Sequence, residues 1–254
     1  MARSSRIYQV AIAIVLGNLL SLGLGVGPGF TDSDDGENLS QGLPGRRIGG
    51  GTRGPEASFD SDQHPLTALV PENNLSVVTA AHPNLLFYVP PADGPQKVEF
   101  VLRNAADELV YDKTFRMSAQ GGMVSMGLTD TDEFPQLAAN QNYQWYLSVM
   151  AEDRARDVSV DGWVRRVELD DWLAQQGLEQ GLSARIAAAS GLELAKLLSQ
   201  EVDLWSEAVL VVNELRLSQP TNLAVLDEWE ALLETVGLES IGQEISAGVF
   251  LARH

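Results

Sequence analysis

Val98, Phe100 and Leu102 interleave with Lys97, Glu99, Val101 and Arg103, a period of two that predicts a strand with one buried face. After a polar stretch at residues 104–107, Leu109, Tyr111, Lys113 and Phe115 repeat the pattern, which predicts an antiparallel hairpin. Tyr143, Trp145, Leu147 and Val149 take every second position and give the cleanest strand signal in the chain. Shorter apolar runs lie at residues 66–70 and 85–89, each ended by proline, and at residues 123–128. A last run at 158–169 contains Asp161-Gly162, which reads as a turn ahead of Trp163. About seven short strands at near-even spacing predict an immunoglobulin-like antiparallel β-sandwich over residues 64–169.

From residue 170 to 239 the period becomes helical. Asp170 and Asp171 precede Trp172 and Leu173 and suit a helix N-terminus, where backbone N–H groups attract negative charge. Ser183 is a candidate cap for a helix over 184–190 that Gly191 punctuates. Leu192, Ala195, Leu198 and Val202 follow at helical spacing, then Leu204, Ala208, Val211, Val212 and Leu215, stopped by Pro220. Asn222 is placed to cap a helix that brings Leu226, Trp229, Leu232 and Leu233 to one side, with Gly237 in the left-handed position that ends it. The expected fold class is therefore α+β, a sandwich followed by a helical hairpin or small bundle. Trp205, Ala208, Pro220 and Asn222 match a tetratricopeptide repeat weakly, but Lys196 stands where that repeat wants a small residue. Residues 240–254 form an apolar tail that the pattern does not place.

The other end of the chain is not patterned for a core. Arg3 and Arg6 precede an apolar run from Val10 to Leu24 and a Gly-Pro-Gly exit at 27–29, the layout of a secretory signal peptide over residues 1–25. Asn18 and Ser21 break the run, which is short for crossing ~30 Å of hydrocarbon. The expectation is an exported protein, periplasmic or extracellular, with no stable membrane anchor after cleavage at Gly23 or Gly25. Residues 26–63 are polar and rich in Gly and Asp, and they read as a flexible linker with an acidic cluster at 31–38 and a basic one at 44–54.

Charge narrows the partners. The chain carries a net −18, which becomes −20 when Arg3 and Arg6 leave with the signal segment. Such a surface repels phosphate backbones and anionic headgroups, so nucleic acid is not an expected partner. There is no cysteine, which removes disulfides, thiol catalysis, zinc thiolates and iron–sulfur clusters together. A hydrophobic fraction of 44% supplies a core without them.

Six blocks then occur in a definite order: PGRRIGGGTRG at 44–54, LTALVP at 66–71, FYVP at 87–90, YQW at 143–145, GWVR at 162–165 and WEALLETVGL at 229–238. In that order they resemble the cyanobacterial domain-of-unknown-function family 928. The resemblance implies an exported protein of a photosynthetic bacterium and no particular activity. The family's pattern often sets a cysteine after the glycine-rich block, whereas residues 55–64 here have none, so no thiol role carries over.

Candidate chemistry is thin by comparison. Gly49, Gly51 and Gly54 have dinucleotide-loop spacing, but no strand precedes them and Pro55 follows, so a linker or sheet-crossing segment is the better reading. Asp32, Asp34, Asp35 and Asn38 do not complete a calcium loop, since the glycine comes a residue early and Leu43 holds the last ligand position. Asp130, Asp132 and Glu133 form a second acidic turn, read as solvated. His64, His82 and His254 lack ligand spacing, and Ser125 sits in a strand rather than a nucleophile elbow. No catalytic residue, metal ligand or cofactor is assigned. Trp145, Trp172, Trp205 and Trp229 fall at core phases, while Trp163 either packs between sandwich and helices or serves as a platform for a sugar or peptide.

The candidate contact residues are Arg46, Arg47, Arg53, Trp163 and Arg165. The three arginines of the glycine-rich block either fold that segment onto the acidic body or grip an acidic partner. The leading expectation is a non-enzymatic adaptor or interaction module with a protein partner in the cell envelope. The alternative is a polysaccharide-associated protein, either a binding module or a hydrolase using paired carboxylates.

Overall fold

A computed structural model describes residues 43–49, 64–127, 136–178 and 181–251, with side chains only to residue 245. The signal segment, Arg53 and the acidic clusters at 31–38 and 130–133 lie outside the described residues. Among the described residues eight strands come first: β1 Thr67–Ala68, β2 Leu75–Val78, β3 Asn84–Val89, β4 Gln96–Arg103, β5 Leu109–Met117, β6 Gly122–Gly127, β7 Asn142–Met150 and β8 Val158–Arg166. They form a three-stranded sheet in the order β1-β3-β6 and a five-stranded sheet in the order β2-β8-β7-β4-β5.

Alternation in β4 and β7 buries Val98, Phe100, Leu102, Trp145 and Leu147 completely, as a period of two on one covered face requires. From the other sheet, Phe87 meets Trp145 edge-on with ring centroids 5.3 Å apart, and Phe100 at 6.3 Å. The two sheets thus share one apolar core. Pairing between these strands is antiparallel except for β2 and β8, which run parallel with Leu75 opposite Trp163 and Val77 opposite Arg165. A wholly antiparallel sandwich is therefore not what forms. The sequence pattern also passes over β2, whose four residues are too few to establish a period.

Asp161-Gly162 corrects a second expectation, because it lies inside β8 rather than at a turn. A Cβ on Gly162 would run into the Trp145 ring and the Asn74 side chain, so the glycine is there to let β8 pass over the indole. Asn74, in the left-handed region at φ 62°, closes the turn before β2, with its N–H donating to the Pro71 carbonyl at 3.0 Å.

Six α-helices follow among the described residues: α1 Leu169–Gln175, α2 Leu182–Ala188, α3 Gly191–Lys196, α4 Trp205–Ser218, α5 Leu223–Glu234 and α6 Glu239–Leu251. Asp170 and Asp171 occupy the first turn of α1, and the Asn222 side chain accepts from the Ala224 N–H to cap α5. Gly237 ends α5 at φ 66°. Ser183 lies inside α2, whose cap position is Gly181, and residues 240–251 of the unplaced tail belong to α6. A π-helical turn, Leu197–Glu201, prolongs α3 before the chain bends into α4.

Trp172, Trp205 and Trp229 are buried, as their phases predict. Two of them hold helices together through the indole N–H: Trp172 donates to the Val202 carbonyl at 2.8 Å and Trp205 to that of Leu232 at 3.0 Å. Glu207, in the first turn of α4, fastens helices to sandwich by accepting from the Thr79 N–H at 2.5 Å and its hydroxyl at 2.7 Å. Tyr88 of β3 donates to Glu244 of α6 at 2.7 Å and makes a second fastening.

Candidate functional site

Where β2 meets the helices, the packing leaves a cleft of about 440 Å³. One wall is the turn Pro71, Glu72 and Asn73 with Leu75 and Val77, the β2 side chains that point away from the sandwich core. The other wall is the bend between α3 and α4, through Ser199, Gln200, Asp203, Trp205 and Ser206. The C-terminal half of α5 and the two residues after it close it with Glu228, Ala231, Leu232, Thr235 and Val236. Its floor is apolar and its rim acidic.

The bend is what brings polar groups to the floor. The π turn ends with the Leu204 N–H donating to Leu198 at 2.8 Å, and Asp203 is forced to φ 56°. A non-glycine residue there carries strain that aspartate tolerates better than most. Partial burial pushes the Asp203 carboxyl above the ordinary carboxylate range. Ser206, a turn further on, is 5% exposed and its hydroxyl oxygen has no hydrogen-bond partner. A sealed hydroxyl with nothing to bond is unusual, and this one belongs to the wall of a cleft.

Two of the three carboxylates already have cations. Glu72, on an open turn, is 3.8 Å from Arg47, and Glu228, only 11% exposed as a side chain, is 3.5 Å from Lys196. Asp203 has no ion pair among the described residues. The cleft therefore offers one uncompensated carboxylate and one unused hydroxyl above Leu75, Val77 and Leu232. Such a set suits a positive charge carried on an apolar stem, which buries its methylenes while its head meets the acid.

The residues expected to contact a partner are distributed differently. The segment at 43–49 lies on the sandwich: the Arg46 N–H and carbonyl exchange bonds with Asp161 at 3.1 and 2.9 Å, and Ile48 bridges Thr67. Arg46 is exposed beyond that pairing. Arg47 turns inward, donating to the carbonyls of Val236 at 2.7 Å and Val70 at 3.3 Å, and so borders the cleft from behind Glu72. Of the two roles open to these arginines, Arg47 takes the intramolecular one.

Trp163 is half-buried and its indole N–H donates to the Pro44 carbonyl at 2.7 Å. The tryptophan and the arginine-bearing segment thus hold each other. Arg165, half-buried on the same face of β8, keeps its Nε sealed without a partner. Asp203, Ser206, Glu228 and Glu72 were not foreseen. Nothing in a local motif marks them, since they come from three separate stretches of chain that only the fold joins.

Comparison with known proteins adds a family and little else. The family model described as Domain of Unknown Function (DUF928) matches residues 48–246. Curated proteins gave no match. Among solved structures, a Bacteroides uniformis beta-glucuronidase is similar over 40% of this chain and 12% of its own, at 7% identity and a TM-score of 0.25. Bacteroides uniformis beta-glucuronidase 2, covalently bound to cyclophellitol-6-carboxylate aziridine, is similar over 72% and 32%, at 9% identity and a TM-score of 0.24. The chain spans about a third or less of those enzymes, and scores this low do not establish a shared fold.

Proposed function

The chain belongs to the DUF928 family, and we propose that it is a non-enzymatic binding module of the cell envelope whose cleft receives a cationic, partly apolar segment of a partner protein. The observation that carries this reading is the uncompensated Asp203 beside the sealed, unbonded Ser206 hydroxyl on an apolar floor. A lysine or arginine side chain supplies what is missing: a charge for Asp203, a polar partner for Ser206 and methylenes for Leu75 and Leu232. The strand order supports an immunoglobulin-like sandwich. β1 joins one sheet and β2 the other, so that the first stretch of the sandwich changes sheets and runs parallel to the last strand. Export is supported by the basic head and apolar run ahead of Gly27.

The test uses a labelled peptide alternating lysine with leucine, titrated by fluorescence anisotropy against the chain recovered from the envelope fraction. N-terminal sequencing of that material should find cleavage after Gly23 or Gly25. Binding should weaken about tenfold between 0.05 and 0.5 M salt, and about tenfold again in Asp203→Asn. Equal binding of a glutamate–leucine peptide, or no effect of Asp203→Asn and Ser206→Ala together, would overturn the reading. A chain recovered only with its first residues intact would overturn export.

A further inference from the structure

β5 is the outer strand of the five-stranded sheet, nine residues long, and no described residue pairs with its far side. An edge of this length presents a row of unused backbone donors and acceptors, a template for another strand. We propose that the strand it takes is β5 of a second copy of this chain, antiparallel and centred on Thr114, which joins two five-stranded sheets into one.

The charges fix the partner and the register. Asp112, Thr114 and Arg116 share the outer face of the sheet, opposite Val101, Glu99 and Lys97 of β4. All three are exposed, and neither Asp112 nor Arg116 has an ion pair among the described residues. Arg116 instead stands across from Lys97, a cation beside a cation. A two-fold axis through Thr114 sets Asp112 of each copy opposite Arg116 of the other, so both pairs form at once. On the core-facing side the same axis sets Tyr111 opposite Met117, and both are only partly covered by the core of their own copy. Centring on Lys113 or Asp112 would stack like charges on each other. Centring on Phe115 would set Asp112 opposite Ser118 and leave Arg116 only a diagonal neighbour. Of these registers the one centred on Thr114 sets Asp112 directly against Arg116 and Tyr111 against Met117, with Lys113 opposite Phe115.

Strand pairing by itself buries less than a standard interface, so the dimer should be a micromolar one that dissociates on dilution. Analytical ultracentrifugation of the cleaved chain should show a concentration-dependent shift from monomer to dimer below about 100 µM. Arg116→Asp, which places aspartate against Asp112 twice, should raise the dissociation constant at least about tenfold. The double exchange Asp112→Arg with Arg116→Asp should restore it, an outcome that a general loss of folding cannot produce.

Because the chain has no cysteine, Thr114→Cys gives an independent reading. Mild oxidation should convert it to a disulfide-linked dimer, whereas Ser159→Cys, on the outer face of β8 away from this edge, should stay monomeric. A wild-type chain that is monomeric at about 100 µM would overturn the proposal. So would a double exchange that remains as weak as the single one, or equal cross-linking at positions 114 and 159.

Discussion

Between the two sheets the sealed side chains are Phe87, Phe100, Leu102, Trp145, Leu147 and Val164, and none of them carries a charge. Between α4 and α5 the sealed set includes Arg216, 3% exposed, whose guanidinium lies 4.9 Å over the Trp229 ring and donates to Asn213 at 2.8 Å. No carboxylate answers it among the described residues, its Nε is unbonded, and burial pulls its affinity for a proton down. Glu207 lies between α4 and the sandwich, with its carboxyl pushed up by burial against the hydrogen bonds from Thr79 and Ala80. Both regions hold large apolar areas, but only the helical one also confines charge. Burying an ion costs several kcal/mol unless something compensates it, so the two regions should respond oppositely when their most buried side chains are made smaller or neutral.

The sandwich should give the largest effect. Trp145→Ala removes the ring that meets Phe87 and over which β8 passes at Gly162, and should cost about 3–5 kcal/mol in denaturant unfolding. A loss under about 1 kcal/mol would mean the core is not centred there. Arg216→Met should go the other way, neutral or stabilising by roughly 1–4 kcal/mol, because it deletes an uncompensated buried cation and keeps the methylenes. A clear loss of stability would show that the stacking on Trp229 outweighs desolvation and would erase the contrast.

Glu207 gives the smallest and most diagnostic effect, in its pH dependence. Its folded-state affinity for a proton exceeds that of the unfolded chain, so the folded state binds more protons above the ordinary carboxylate range. Stability tied to this group is full below the unfolded pKa of about 4.3 and declines as pH rises through the raised folded value. Wild type should therefore gain stability on going from pH 7 toward pH 5, and Glu207→Gln should flatten that gain; parallel profiles for the two proteins would assign the slope elsewhere.

What the sequence discloses follows the same division. Strands β4 and β7 are legible because one face of each is wholly covered, which forces a strict period of two at Val98, Phe100, Leu102, Trp145 and Leu147. The Asn222 cap and Gly237 are legible because they answer local backbone needs. Asp161-Gly162 misleads, since its glycine is required by a side chain on another strand and not by a turn. The cleft is invisible for a related reason: Glu72, Asp203, Ser206 and Glu228 are each ordinary where they stand, and become a site only when α4 docks on β2. Of the five contact candidates, Arg47 was placed beside the cleft and Trp163 against Pro44, both by partners far along the chain.

Arg47 also sets a timetable. Its bond to the Val236 carbonyl spans 189 positions, and the Trp163 bond to Pro44 spans 119. Synthesis delivers Arg47 long before the end of α5 exists, and the segment at 43–49 has neither Asp161 nor Trp163 to hold it until β8 has followed. Contacts between such distant residues form slowly, because the intervening chain must close a large loop before either end gains. The bond from Arg47 to Val236 is therefore the last of these to form, and it closes only once the whole stretch from the first described segment to the end of α5 is in place.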